Sequence, residues 1–266
     1  MKSLKRYVTL KSLLLLGIIG LILLSACRDT DDSWEQIQEA GILRIGVDPT
    51  YPPFAVATEG GAEGIDFDLG QALAEEMGLE PQFSYFGYDG LYDALVTRQV
   101  DALISALVIA PERTRDIAYS APYFDAGLYL FFPAGNEQIE DAADLRGASI
   151  AVELGSLGHV EALDWQKRVA RLDVTPYPTI EEAMSATAAG QADAALVDYV
   201  SGLLFIRNHP SGQAALVYSP IPGASEPYAI AVRIEDEILL TELNAALNRL
   251  KASGRLDAII EQYVGP

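Results

Sequence analysis

From Trp34 to the end of the chain, short apolar runs alternate with amphipathic stretches. Leu43-Arg-Ile-Gly-Val47 predicts a strand. Asp68-Leu-Gly-Gln71 has the form of a helix N-cap followed three residues later by Gln. Leu69, Ala72, Leu73 and Met77 then share one helical face, and Gly78 ends the helix. Phe83 to Phe86 predicts a strand, Leu91 to Arg98 a helix and Ala102 to Ser105 a strand. Such alternation argues for an α/β fold built on a parallel sheet.

The pattern recurs further on. Ile150 to Val152 predicts a strand, Gly158 to Arg168 a helix and Leu172 to Thr175 a strand. Ile180 to Ala189 follows as a helix and Ala194 to Val197 as a strand. Two local echoes accompany the recurrence. Gln99-Val-Asp-Ala-Leu-Ile104 matches Gln191-Ala-Asp-Ala-Ala-Leu196, and Ile45-Gly-Val-Asp48 matches Ile150-Ala-Val-Glu153. Two similarly built lobes are expected: residues 37–126 with 222–266, and residues 127–221. The extended run Tyr123 to Phe132 and the Pro- and Gly-rich run Tyr218 to Tyr228 supply two crossings between them. The helical pattern from Leu239 to Tyr263 is too short to fold alone and is expected to return to the first lobe. Two crossings make a hinge, and a hinge implies a cleft that can close.

The N-terminus differs from the rest. Lys2, Lys5, Arg6 and Lys11 precede the apolar run Leu13 to Leu24, and small residues lead up to Cys27. This is the form of a secretory signal over residues 1–27, and the run is short for a membrane span. An uncleaved N-terminal anchor is the alternative. Leu24-Ser-Ala-Cys27 resembles the bacterial lipobox, which implies cleavage before Cys27 and attachment of lipid to its sulfur. Cys27 is the only cysteine, so no disulfide can form within the chain. Residues 28–36 then serve as a polar tether. The mature chain is hydrophobic enough to fold, and 38 acidic against 18 basic residues argue against a nucleic-acid partner. The only histidines are His159 and His209, and no triad, metal-ligand or phosphate-loop pattern is present. No metal or cofactor is expected.

Ligands of open α/β sheets bind beyond the carboxyl ends of the strands. That rule selects Asp48 and Tyr51, then Ser105 to Val108 with Ala106 between them, then Glu153 to Ser156, and finally Asp198. Pro111 fits a first helical position, which puts Arg113 in the first turn. A cation there opposes the helix dipole unless an anion meets it. Arg113 therefore binds a ligand carboxylate, or else it pairs with Glu112 or Asp116 at the surface. Gly155-Ser156 offers backbone N–H groups before a helix, or forms an ordinary turn. Asp198 could hold an ammonium group or stand as a solvated acid. Tyr51 and Tyr88 either flank a ligand or pack in the core. Asp48 and Glu153 end equivalent strands, and with the two tyrosines they favour a basic or strongly polar ligand side chain. The alternative is that Asp48 caps a turn, Glu153 points to solvent, and the pocket takes a neutral ligand.

In combination these residues resemble the family 3 extracellular solute-binding proteins, the amino-acid receptors of ABC importers. The similarity rests on Gly64-Ile-Asp-Phe-Asp-Leu69 with Leu73, Ala74 and Met77, on Leu43 to Asp48, and on Tyr51-Pro-Pro-Phe54. Pro111-Glu-Arg113, Tyr119-Ser-Ala-Pro-Tyr123, Asp144-Leu-Arg-Gly147 and the ending Gly254 to Tyr263 extend it across residues 34–264. The resemblance implies a two-lobed periplasmic-binding-protein type II fold. It assigns Arg113 and the backbone near Ser156 to an amino acid's α-carboxylate, Asp198 to its α-ammonium and Ser105 to a polar contact. Asp48, Tyr51, Tyr88 and Glu153 would surround the side chain. Ala106, Val108 and Leu157 depart from the family's hydroxyl residues, so only their backbone N–H groups would serve the ligand. The implied partners are an amino acid, ABC permease subunits and membrane lipid through Cys27, with no nucleic acid, for a monomer. The protein would be exported and anchored at the outer face of the cytoplasmic membrane or held in the periplasm. The rival readings are a sensory receptor domain and an enzyme resembling cyclohexadienyl dehydratase. A non-enzymatic binding protein is expected.

Overall fold

A computed structural model of the chain describes residues 31–135, 142–209, 216–221 and 223–265. The signal segment and Cys27 lie outside the described residues. A helix already begins within the stretch assigned to the tether, residues 28–36. Helix α1 (Ser33–Ala40) buries Ile37 against the core, and Asp31 accepts hydrogen bonds from the Ser33 hydroxyl and the Ile238 N–H.

The chain continues through β1 (Ile42–Val47), a small sheet of β2 (Thr50–Tyr51), β3 (Ala55–Thr58) and β4 (Gly61–Glu63), and α2 (Ile65–Met77). Then come β5 (Glu80–Tyr85), α3 (Tyr88–Val96), β6 (Ala102–Leu103), β7 (Ile117–Tyr119) and β8 (Phe124–Asp125). A second set follows: β9 (Leu128–Pro133), β10 (Ser149–Glu153), α4 (Leu157–Arg168), β11 (Asp173–Tyr177) and α5 (Ile180–Ala188). It ends with β12 (Ala194–Asp198), α6 (Tyr199–Asn208) and β13 (Leu216–Pro220). The return is β14 (Pro227–Tyr228), β15 (Ala231–Arg233), α7 (Glu237–Ala252) and α8 (Arg255–Val264).

Two five-stranded sheets result, ordered β5-β1-β6-β15-β7 and β11-β10-β12-β9-β13. In each, the second strand of that order pairs in parallel with both neighbours: β1 with β5 and β6, β10 with β11 and β12. The sheets are mixed, however, and not purely parallel. Strands β15 and β9, which adjoin the crossings, enter antiparallel. The two echoes occupy the same register. Ile45 faces Ala102 as Ile150 faces Ala194. Asp101 accepts from the Arg44 N–H at 2.9 Å, and Asp193 accepts from the Ser149 N–H at 2.8 Å.

Helix α2 starts at Ile65, so Asp68 lies inside its first turn and does not cap it. Gly64 makes the entry instead: its φ is 131°, and a Cβ there would stand 2.3 Å from the Phe54 carbonyl oxygen. Gly78 ends the helix in the left-handed conformation, as the sequence predicts. The C-terminal helices share a core with the first sheet, where Leu239, Leu243 and Leu247 pack with Leu43, Ile45, Leu69 and Leu73. Leu130, Ile150, Trp165 and Leu196 form the core of the second sheet. Each such buried side chain contributes about 1.5–3 kcal/mol.

The crossings form one ribbon. Strands β8 and β14 pair antiparallel, and the ladder continues from the Ala126 N–H to the Glu226 carbonyl and from the Leu128 N–H to the Ala224 carbonyl, both at 3.0 Å. Gly127 permits the approach, since a Cβ there would lie 2.1 Å from the Ala224 oxygen.

Just before the ribbon, the Tyr123 hydroxyl donates to Asp66 Oδ1 at 2.6 Å and accepts from the Ala106 N–H at 3.1 Å. Asp66 is 1% exposed, and its Oδ2 has no hydrogen-bond partner among the described residues. Burial pushes its carboxyl up to about 7, against the lowering effect of the Tyr123 hydrogen bond and the nearby Ala106 amide. A group raised from 3.8 gives stability that is full below 3.8 and lost as pH rises through about 7. Asn at this position keeps an acceptor for Tyr123 but cannot titrate. The stability of the natural protein relative to Asp66→Asn is therefore expected to fall between these pH values, as read by melting curves. A constant difference would mean that Asp66 is ionised in the fold.

Candidate functional site

The carboxyl ends of β10 and β12 open on a cavity of about 470 Å³ beside the crossing ribbon. Ser156 caps α4: its Oγ accepts from the His159 N–H at 3.1 Å and donates to the Glu153 carbonyl at 2.8 Å. The Gly155 N–H is taken by His159 Nδ1 at 3.0 Å. The Leu157 and Gly158 N–H groups have no partner among the described residues, and both residues line the cavity. This helix of 12 residues thus presents unsatisfied donors to the cavity, a local preference for an anion. Gly158 lets α4 sit close to β12, because a Cβ there would stand 2.4 Å from the Leu196 oxygen.

Asp198 caps α6, with Oδ1 accepting from the Ser201 N–H at 2.9 Å. Of the predicted residues, Glu153, Ser156, Leu157 and Asp198 meet in this cavity. Glu161 and Glu226 join them, and no Lys, Arg or His among the described residues lines the space. Glu161 also accepts from Trp165 Nε1 at 2.6 Å. Leu157 is 67% exposed, an apolar side chain at the edge of a polar site.

The first lobe offers a separate face. The Ser105 Oγ accepts from the Asp48 N–H at 2.9 Å, which ties the ends of β1 and β6. The Asp48 carboxylate accepts from the Thr50 N–H and hydroxyl at 3.1 and 2.7 Å, so Asp48 caps a turn. Ala106 adopts φ 46°, and its N–H is held by Tyr123. The expectation that this N–H serves a ligand is therefore overturned. Tyr51 and Tyr88 are 50% and 55% exposed rather than packed in the core. Tyr51 stacks on Phe54 with centroids 5.5 Å apart.

Arg113 does not open an α-helix. Pro111–Arg113 is a single 3₁₀ turn, too short for a helix dipole to act on its side chain. The guanidinium carbon lies 3.9 Å from the centroid of the Tyr92 ring. Neither Glu112 nor Asp116 pairs with it, and it has no ion-pair partner among the described residues. Arg113 is thus oriented by an aromatic face while its hydrogen-bond donors stay open.

None of Asp48, Tyr51, Tyr88, Ser105, Ala106, Val108 or Arg113 lines the cavity of the second lobe. Tyr228 connects the two faces. It bridges Val108 in the backbone, its hydroxyl lies 3.4 Å from that of Tyr51, and the charge of Asp198 reaches it. Burial, then the Tyr51 contact and the nearby carboxylates, hold its phenol neutral. The sequence marked Tyr228 and Glu226 only as part of a crossing. Glu226 precedes the two-residue β14 and Tyr228 ends it, a strand too short to show in the hydrophobic pattern, so the strand-end rule did not select them. Glu161 had a fainter signal, one helical turn beyond Leu157.

The model of the bacterial extracellular solute-binding proteins, family 3, matches residues 43–266. The chain belongs to this family. It is 31% identical over 261 residues to the L-arginine-binding protein of Pseudomonas aeruginosa, covering 96% of each chain. An ancestral cationic amino acid solute-binding protein is 28% identical, with a TM-score of 0.62 over 87% of this chain and 99% of that one. The L-cystine solute receptor of Neisseria gonorrhoeae, in its unliganded open conformation, is 23% identical, with a TM-score of 0.75 over 87% of this chain and 96% of that one. This solute-binding protein therefore has the two-lobed periplasmic-binding-protein fold.

Asp198 caps α6 through an acceptor that Asn retains and Ala lacks. Asp198→Ala should lower the melting temperature of this solute-binding protein by about 2–4 °C, the effect of one lost cap. Asp198→Asn should lower it by much less. Equal losses in calorimetry would mean that the charge, rather than the acceptor, holds the helix.

Proposed function

We propose that the protein captures an amino acid with a cationic side chain between its lobes and delivers it to the permease of an ABC importer. The observation that carries this reading is the charge of the cavity. Glu153, Glu161, Asp198 and Glu226 share it with no basic side chain. Carboxylates around one space repel unless a cation sits among them. The start of α4 and the open donors of Arg113 supply the opposite chemistry, suited to an α-carboxylate.

The α-ammonium would meet the carboxylate oxygen of Asp198 that does not cap α6. The side chain would lie among Glu153, Glu161 and Glu226, with Tyr51 and Tyr88 closing over it as aromatic faces. Ser105 accepts from the Asp48 N–H and keeps its own proton to donate. Asp48 caps its turn, so the preference for a cation rests on the three glutamates. The likeness to the L-arginine-binding protein supports the same ligand class. Closure about the ribbon would carry Arg113 and the tyrosines of the first lobe onto a ligand held by the second. Export and lipid attachment at Cys27 would place the monomer beside its permease.

Competition binding should rank arginine and lysine ahead of glutamine, leucine and glutamate. Glutamate or leucine binding best would overturn the assignment of side-chain charge. Arg113→Ala should weaken the preferred ligand by about 100-fold, the scale of a lost charge-assisted pair, with an unchanged melting curve. Unchanged affinity would remove Arg113 from the site. Solution scattering should show a smaller radius at saturating arginine, and an equal radius would mean that the lobes do not close.

A further inference from the structure

A second cavity, of about 440 Å³, lies on the other side of the crossing ribbon. Neighbouring residues divide the two spaces. Leu128 and Asp198 line the first, while Tyr129 and Tyr199 line the second. The Tyr199 N–H donates to the Gly127 carbonyl at 3.1 Å between them.

The second cavity is aromatic and acidic. Tyr129 and Tyr199 stack with centroids 4.2 Å apart and 19° between planes. Tyr218 stands edge-on to them, 6.1 and 5.4 Å away, and is 42% exposed. Burial raises the phenols of Tyr129 and Tyr199, so both rings stay neutral. Asp125 adds a carboxylate at the ribbon, and Asp257 and Glu261 add two more from one face of α8. Asp257 and Glu261 have no ion-pair partner among the described residues. No Lys, Arg or His among the described residues lines the space. Arg207, on the neighbouring α6, donates to the Gln262 and Tyr263 carbonyls of α8 and stays outside it.

Ring faces beside unpaired carboxylates select a cation that sheds water readily. A hard metal ion prefers a compact shell of oxygen ligands. Among the described residues no group of His, Cys, Asp and Glu is placed to hold a metal. The volume suits a small molecule. We propose that this cavity is a second binding site, separate from the cleft, for a small organic cation such as a methylated ammonium or alkylguanidinium compound. Its walls come from both lobes: α8 packs with the first sheet, while Tyr129 and Tyr218 lie on β9 and β13 of the second.

Calorimetric titration of the full chain with tetramethylammonium chloride and with methylguanidinium chloride, against sodium chloride at matched ionic strength, tests the site. Saturable binding of at least one organic cation is expected. Tyr218→Ala should weaken it by about fivefold or more, the scale of one cation–π contact. The double variant Asp257→Asn, Glu261→Gln changes only exposed side chains, so it tests the same site without disturbing the aromatic stack. It should weaken binding similarly, with an unchanged melting curve. Absence of saturable binding overturns the proposal. Binding that survives in either variant also overturns it, because the cation then sits in the cleft or on the general acidic surface. The outcome does not depend on which amino acid enters the cleft.

Discussion

The Asp125 carboxylate accepts from the Gly127 and Glu226 N–H groups at 3.0 and 2.8 Å and from the Ser225 hydroxyl at 2.6 Å. Burial works to raise this carboxyl, but those three donors outweigh it and hold it below the usual range. The interaction joins two chain segments 100 residues apart into one ribbon. Both cavities take their position from it. Gly127, Leu128 and Ala224 form a wall of the front space, and Phe124, Asp125 and Tyr129 form a wall of the rear one. A carboxylate held by donors from both segments keeps the crossings in register.

The repeated architecture was legible because it is written in local chemistry. In Gln99 to Ile104 and Gln191 to Leu196, the aspartate one residue before the strand closes a reciprocal pair with the start of the neighbouring strand. The Asp101 N–H donates to the Arg44 carbonyl, and the Asp193 N–H donates to the Ser149 carbonyl. The Gln-x-Asp-Ala pattern shared by the two words therefore marks a shared geometry. The strand-end rule found Glu153, Ser156 and Asp198 for the same reason, since strand ends are visible in hydrophobic period.

Other features depend on contacts distant in sequence. The entry to α2 is fixed by the approach of Gly64 to Phe54, which outweighs the N-cap signal at Asp68. Arg113 is oriented by Tyr92 on another helix, a contact that no local spacing announces. Tyr228 and Glu226 sit in a segment with neither helical nor strand period. The same limit applies to Ala106, whose N–H is claimed by a tyrosine 17 residues away.

The closeness of Gly158 to Leu196 has an evolutionary consequence. The start of α4 rests on the backbone of β12 with no side chain between them, so this helix end cannot drift as neighbouring residues change. Leu157, one position earlier, projects into the open. Ancestral changes at that position could redraw the rim of the cavity without disturbing the amides behind it. The backbone is a fixed coordinate from which a lineage can vary what it recognises.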